Sequence, residues 1–175
     1  MTSHHAILDA LAACPSYGAL LRALPAPGTT RVVGGAVGSA GSAVAAALHQ
    51  NLPERVFVAV AADPAGAAAL EADFESLLGE GHARLYPQRE ALPYESDEPH
   101  LEIGGLRVEA VEALFSGRAR LVVTTLRGLQ EKAPVPEALA ELRLTLREGD
   151  EPGFGALQDA LEERGFERAS LVEEV

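Results

Sequence analysis

Cysteine and aromatic residues are scarce in this 175-residue chain. Cys14 is the only cysteine, so no internal disulfide can form, and one thiolate cannot by itself build a zinc site. Tryptophan is absent and aromatic residues make up 5% of the chain, which leaves little for stacking on single-stranded nucleic acid. The five histidines lack the spacing of metal ligands, so the sequence predicts no metal site.

Positive charge is scarce as well. Lysine and arginine together number 14, against 26 aspartates and glutamates, for a net charge of -12. Such an acidic chain repels the phosphate backbone of nucleic acids unless its basic residues cluster. We therefore expect no autonomous DNA binding, and a basic protein partner, or a basic patch elsewhere in a larger protein, fits the charge better.

Long apolar runs are missing too. The sequence has no uncharged apolar stretch of about 18 residues, so it predicts no membrane-spanning helix and no membrane partner. The first residues lack the basic and apolar regions of a signal peptide, so we expect a cytoplasmic location. Hydrophobic residues nonetheless make up 47% of the chain, which is enough for a sizeable core.

Apolar segments of strand length alternate with helical patterns up to about residue 130. Strands are predicted over residues 30–33, 55–61, 83–86 and 120–125. Helices are predicted between them over residues 39–49, 64–78 and 105–115. Near-continuous apolar strands that alternate with helices are typical of a parallel sheet with helices on both faces, so the predicted fold class is α/β.

A domain boundary is predicted near Lys132, where the run KAPVPEAL contains two prolines. Residues 1–132 form the first predicted domain, and residues 133–175 form the beginning of a small α+β domain. Within the second, apolar and polar side chains alternate over residues 141–147, which predicts a half-exposed strand. A helix is predicted over 153–164 and a further strand over 166–172. One strand–helix–strand unit is marginally stable, so we expect the chain to be a fragment cut inside its second domain.

The segment Arg31–Leu48, RVVGGAVGSAGSAVAAAL, has the layout of a phosphate-binding loop, with a strand, a glycine-rich turn and a helix. When Gly41 is aligned with the last glycine of GxxxxGK[ST], Ser42 takes the lysine position and Ala43 the Ser/Thr position. The loop then lacks the cation that reaches the phosphates and the hydroxyl that holds Mg²⁺, so we expect no ATP hydrolysis. The degenerate nucleotide loop consists of Gly35, Gly38, Gly41 and Ser42. It is either a tight strand–helix turn or an anion site built from backbone groups alone.

Two further stretches carry a family resemblance: Leu85–His100 reads LYPQREALPYESDEPH, and Arg120–Leu129 reads RLVVTTLRGL. They resemble the N-terminal UvrB-homology module of the bacterial transcription-repair coupling factors (Mfd), which carry a phrase close to FPxxExLPYExxSPHxDIxSERLxxL. The segment Gly149–Val175 resembles a later part of the same module. The matching positions of the phrase are Pro87, Glu90, Leu92, Pro93, Tyr94, Glu95, Pro99, His100, Glu102, Ile103 and Arg107.

The resemblance implies a helicase-like first domain, of the P-loop NTPase type, that has lost ATP hydrolysis. It implies that the second domain is equivalent to the UvrB domain that binds UvrA. The chain would be a non-catalytic fragment for UvrA recruitment and autoregulation in transcription-coupled nucleotide excision repair. The parent protein would be an ATP-dependent translocase on double-stranded DNA. Its other domains would bind DNA and RNA polymerase and hold ATP and Mg²⁺, so no cofactor is expected in this chain.

Two groups of residues are candidates for structural or partner-binding roles. The first group, which would order a loop or touch a partner, is Leu92, Pro93, Tyr94, Glu95, Pro99, His100 and Arg107. The second group, which would anchor a protein interface or lie in solvent, is Arg143, Arg147 and Arg168. Two alternative functions stay open: a nucleotide-binding α/β protein with backbone-only phosphate contacts, and a UvrB-like remnant that contacts DNA. The net charge disfavours the second alternative.

Overall fold

The computed structural model describes residues 3–89, 101–133, 140 and 143–169. The chain divides into two compact units, Met1–Ala133 and Pro134–Val175, and the division lies one residue from the boundary expected at the proline-rich run.

The described helices and strands of the first unit follow the α/β alternation, and the second unit adds one helix. In chain order they are α1 (Ser3–Ala12), α2 (Pro15–Arg22), α3 (Ala40–Asn51), β1 (Phe57–Ala61), α4 (Pro64–Leu78), β2 (Ala83–Tyr86), α5 (Leu101–Phe115), β3 (Leu121–Thr125), α6 (Leu126–Gln130) and α7 (Phe154–Glu162). The predicted strand at 83–86 is confirmed residue for residue, and those at 55–61 and 120–125 are confirmed with shorter bounds.

The described strands form one parallel sheet in the order β1–β3–β2. β3 lies in the centre, where Leu121 is in register with Phe57 of β1 and with Ala83 of β2. All five residues of β3 are buried, because strands flank both its edges and helices cover both its faces. The prediction of an α/β fold with a parallel sheet is therefore confirmed, for a sheet of three described strands.

Helices cover the two faces of the sheet unequally. α4 packs against all three strands on the face of Val123, where Phe74 is fully buried. α1 and α3 pack on α4 in turn. α5 covers β2 and β3 on the opposite face, that of Val122. On this second face Val58 and Val60 of β1 are about half exposed, since α5 lies over the other two strands.

Local signals define both ends of α4 as the sequence predicts. The Asp63 carboxylate accepts a hydrogen bond from the Gly66 amide at 2.7 Å, and Pro64 occupies the first turn, where its missing N–H has no partner to lose. Gly79 ends the helix with a φ of +98°, a conformation that favours glycine. The predicted helix over 64–78 is therefore confirmed at both ends.

The strand predicted over residues 30–33 is wrong. Residues 29–37 have no regular secondary structure, and Val32 and Val33 are 86% and 51% exposed. β-branched residues favour a strand only where a neighbouring strand pairs with them and a packed layer buries them. The described residues around Val32 provide neither a paired strand nor a packed layer. Of the expected strand–turn–helix layout, the turn and the helix α3 are present and the strand is not.

The second unit also departs from its predicted strands. Residues 143–147 and 166–169, the described parts of the two predicted strands, have no strand structure, and the remaining positions lie outside the described residues. Leu146 and Phe166 are 53% and 64% exposed. Alternation of apolar and polar residues forms a strand only when a second strand pairs with it. The predicted helix over 153–164 is confirmed as α7.

Candidate functional site

The degenerate nucleotide loop lies at the surface. Gly35 and Gly38 adopt φ angles of +83° and +57°, and Gly41 lies in the first turn of α3. No described atom lies within 4 Å of where a Cβ would be at any of the three. Two of these glycines are therefore explained by backbone conformation, and close packing explains none of them.

Ser42, at the position of the P-loop lysine, is buried and hydrogen-bonded within the chain. Its hydroxyl donates to Asp73 Oδ2 at 2.6 Å, and the Ser39 hydroxyl donates to Asp73 Oδ1 at 3.1 Å. Asp73 belongs to α4, so this contact ties the start of α3 to its neighbouring helix. The carboxylate also places a negative charge beside the helix N-terminus that would attract an anion. A phosphate at this loop would meet a like charge instead of a lysine.

The loop that carries the family phrase is described only at its two ends. Leu92, Pro93, Tyr94, Glu95, Pro99 and His100 lie outside the described residues. The described ends are Pro87–Arg89, just after β2, and α5, which contains Arg107. Of the candidate site residues in the phrase, Arg107 lies among the described residues, on the buried side of α5.

Arg107 is almost completely buried, at 4% exposure, and its guanidinium connects three parts of the chain. Nη1 donates to the Pro87 carbonyl oxygen at 2.6 Å and to Glu131 Oε2 at 2.7 Å. Nη2 donates to the Tyr86 hydroxyl at 2.5 Å, and the guanidinium carbon lies 4.2 Å from the centre of that ring. Several charge-assisted hydrogen bonds and an aromatic contact compensate for burying this cation.

Glu131 is the second centre of the same network. Both its carboxylate oxygens accept from the Arg89 amide, at 3.0 and 3.1 Å, and Arg127 lies 3.6 Å from Oε1. Glu131 follows α6, whereas Arg89 and Arg107 stand at the two ends of the phrase loop. One carboxylate thus holds the roots of this loop to the end of the helix that follows β3.

Two threonines at the end of β3 complete the network. Thr124 Oγ1 donates to the Tyr86 carbonyl oxygen at 2.7 Å, and Thr125 Oγ1 donates to Gln88 Oε1 at 2.8 Å. A Cβ at Gly128 would lie 2.5 Å from Thr124 Oγ1, so only glycine fits there. These contacts lie at the carboxyl end of the parallel strands, where α/β sheets commonly carry their functional loops.

An apolar cleft of about 210 Å³ lies beside this network on the partly open face of the sheet. Its lining includes Val58, Val122 and Leu129, with Tyr86 and Glu131 as polar contributors. Leu129 is 51% exposed. The cleft can receive an apolar side chain.

Arg143, Arg147 and Arg168 do not share a strand face, because the described parts of the predicted strands are not strands. All three side chains are exposed. The Arg147 amide donates to Asp150 Oδ2 at 2.7 Å, which closes a turn. Arg168 lies beside α7, at a cleft of about 200 Å³ that is lined largely by apolar side chains, among them Phe154 and Phe166.

His49 is a buried titratable residue outside the predicted sites. It lies on α3 at 6% exposure, and its ring meets that of Phe57 edge to face with centroids 5.4 Å apart. Burial lowers the pKa of His49, and the charges of Arg120 and His82 lower it further. Nδ1 has no hydrogen-bond partner among the described residues, so the neutral form suits this position.

The described residues are also informative about metal sites and membrane-spanning helices. Within the described ranges, no group of three or more His, Cys, Asp or Glu side chains is placed to hold a metal ion. Over the same ranges, no helix has both the length and the apolar character needed to cross a bilayer.

Sequence reasoning selected Arg107 through the family phrase and missed its partners Tyr86 and Glu131. The four-residue spacing of Arg127 and Glu131 is a local signal for an ion pair between those two residues, but not for the bond from Arg107 to Glu131. Comparisons of the chain with protein-family models, curated proteins and solved structures find no match. The family resemblance therefore rests on the quoted residues alone.

Proposed function

We propose that this chain is a non-catalytic protein-interaction module, of the kind found at the N-terminus of transcription-repair coupling factors, that recruits UvrA. The observation that carries the proposal is the hydrogen bond from Arg107 to the Pro87 carbonyl oxygen. Pro87 and Arg107 are the first and last matching positions of the family phrase. Their direct contact supports reading the phrase as one structural unit at the carboxyl end of a parallel sheet.

The surroundings of the degenerate loop support a domain without ATPase activity. Ser42 and Ala43 supply neither the cation nor the Mg²⁺ ligand of a working P-loop, and Ser42 is already bonded to Asp73. A module of this kind would act by binding other proteins, with ATP and Mg²⁺ held by motor domains of the parent. Such a role in DNA repair implies a cytoplasmic location.

The second unit offers a surface that suits a protein partner. Phe154 and Phe166 are 78% and 64% exposed around the cleft beside α7, and Arg168 lines it. Exposed aromatic residues next to arginine are enriched at the centres of protein interfaces. We assign UvrA binding to this surface, with Arg143 and Arg147 as additional positive charges.

Calorimetric titration of the 175-residue chain with purified UvrA tests this assignment. The triple variant R143E/R147E/R168E should bind at least about tenfold more weakly than the unchanged chain. The matched control R22E/R31E/R55E makes the same charge change on exposed arginines of the first unit and should bind as the unchanged chain does. Equal losses in the two variants would refute the surface, and no binding by the unchanged chain would refute UvrA as the partner.

The nucleotide-binding alternative is separated by titration with ATP and Mg²⁺. The module proposed here should show neither saturable ATP binding nor turnover, because Asp73 repels the phosphates. Saturable binding that is strengthened by Asp73→Asn would favour the alternative. A salt-dependent complex with double-stranded DNA would instead favour the UvrB-like remnant.

A further inference from the structure

The outer face of α5 carries exposed apolar side chains although it points away from the sheet. The inner face buries Arg107, Ala110 and Ala113 against β2 and β3. On the opposite side, Leu101 and Phe115 are 80% and 67% exposed. A helix that is apolar on both sides is normally covered on both sides.

The exposed apolar residues of α5 lie along a single ridge. Leu101, Val108 and Phe115 follow one another at intervals of seven residues, and Gly104 and Gly105 lie between the first two. Val108 is 37% exposed. At 1.5 Å per residue the ridge is about 21 Å long, which matches a helix of about four turns laid along it. A shallow groove runs over the two glycines and Val108.

The packing of the described residues does not explain the two glycines. No described atom lies within 4 Å of a Cβ placed at Gly104 or Gly105, and neither has a positive φ. Each glycine within a helix costs about 1 kcal/mol relative to alanine. A pair without side chains does, however, allow the backbone of a second helix to approach closely, between the larger side chains of Leu101 and Val108.

The charges beside the ridge indicate what kind of helix would cover it. Glu102, Glu109 and Glu112 flank or interrupt the apolar positions. Glu109 forms an ion pair with Arg84 at 3.3 Å and Glu112 forms one with Arg118 at 4.0 Å, so these five side chains together leave one negative charge beside the ridge. A second copy of this chain would bring the same glutamates into apposition, on a chain of net charge -12. A partner helix with lysines or arginines beside an apolar stripe would complement the ridge.

From these observations we infer that the outer face of α5 is a docking site for a basic amphipathic helix of a partner protein. The inference is independent of the proposed UvrA surface, which lies on the second unit. Leu101 and Phe115 anchor the two ends of the partner helix, the glycine pair sets a close crossing, and the glutamates select positive charge.

The first test uses a stapled helical peptide about four turns long, with alanine and leucine on one face and lysines beside them. Its matched control carries glutamate at each lysine position. Fluorescence anisotropy should show at least about tenfold tighter binding of the basic peptide, with the difference shrinking between about 50 mM and about 300 mM salt. Equal affinity for the two peptides would overturn the inference.

The second test fills the groove without weakening the fold. The double variant G104Q/G105Q should be at least as stable as the unchanged chain, because glutamine is a better helix former than glycine. It should lose at least about tenfold in affinity for the basic peptide. The control A68Q/A69Q changes two adjacent exposed positions of α4 and should bind normally.

Two results would assign the ridge differently. Unchanged peptide affinity in G104Q/G105Q would place the binding elsewhere and overturn the inference. A concentration-dependent dimer seen by sedimentation, and lost in G104Q/G105Q, would identify a second copy as the occupant and overturn the basic partner. A further variant, E102K/E109K, should reverse the preference toward the acidic peptide.

Discussion

The glycine-rich segment 28–39 and the chain at Pro87–Arg89 are both candidate binding loops, yet their surroundings differ. In the first, Val32 and Val37 are more than four-fifths exposed, and Arg31 bonds to the nearby Ala23 carbonyl oxygen. In the second, side chains from α5, from β3 and from Glu131 after α6 bond to the three residues that follow β2.

The difference shows what gives a loop a defined position. Glycines make a turn possible, but they bring no contacts of their own. Buried polar side chains such as Arg107 must be satisfied, so they hold every backbone segment that supplies their partners. The roots of the phrase loop are held in this way, whereas the glycine-rich segment is attached through Ser39 and Ser42 at its helical end.

Replacing Arg107 should give the largest difference between the two regions. Arg107→Ala removes a buried cation together with its bonds to Pro87, Tyr86 and the partly buried Glu131, and should lower the free energy of unfolding by about 3 to 5 kcal/mol. Arg31→Ala, in the exposed segment, should change it by less than about 0.5 kcal/mol. Urea denaturation followed by circular dichroism measures both variants. Similar urea midpoints for Arg107→Ala and Arg31→Ala would show that the two regions contribute equally to stability.

The two β-branched segments provide the next test. Val123 in β3 is fully buried, so Val123→Ala should cost about 2 kcal/mol through lost transfer energy and a small cavity. Val33→Ala, in the segment predicted as a strand, should cost less than about 0.5 kcal/mol. Thermal unfolding of both variants measures the difference. An equal cost at Val33 would show that residues 30–33 are buried in solution.

Removing the Ser42 hydroxyl should have a smaller effect. Ser42→Ala deletes a partly buried hydrogen bond to a carboxylate and should cost about 1.5 kcal/mol. Ser39→Ala should cost less, since Ser39 is exposed and its bond to Asp73 is 3.1 Å long. Denaturant midpoints compare the two, and a larger loss at Ser39 would contradict the prediction.

The smallest expected effect is the pH dependence due to His49. Its pKa is lowered in the folded chain, so below the ordinary value of 6.5 the unfolded chain binds the extra proton more readily. Stability should therefore be complete above that value and fall as the pH drops through it, by less than about 1 kcal/mol between pH 7 and pH 6. Denaturation at several pH values measures the slope.

Two variants assign that slope to one histidine. His49→Phe should remove this part of the pH dependence, because a neutral ring cannot take up a proton in either state. His82→Gln, at an exposed position, should keep most of it. A slope that persists in His49→Phe and disappears in His82→Gln would contradict the role given to burial.

Short-range sequence patterns were sufficient to predict many of the helices and strands of the first unit. Strands 57–61, 83–86 and 121–125 follow from short apolar runs between helices, and α4 follows from Asp63, Pro64 and Gly79. The same kind of pattern was misleading at residues 30–33 and 143–147. Those segments have the composition of strands, but the described structure provides no partner strand for them.

The candidate site was less accessible from the sequence. Arg107 stood out through the family phrase, but its contacts join residues 20 or more positions apart, such as Pro87 and Glu131. The apolar ridge of α5 can be read from its composition only once the structure shows which side faces the sheet. Pairings over such distances follow from strand order and helix placement, which a single sequence does not encode locally.

By itself the sequence determined the α/β alternation, the capped helix α4, the uncharged residues Ser42 and Ala43 after the glycine-rich turn, and the acidic balance. These depend on residue type and short-range spacing. Only the tertiary structure decided that Ser42 bonds to Asp73, that Arg107 joins Tyr86, Pro87 and Glu131, and that the outer side of α5 is exposed. The reason is physical: burial and long-range hydrogen bonds exist only after distant segments have packed together.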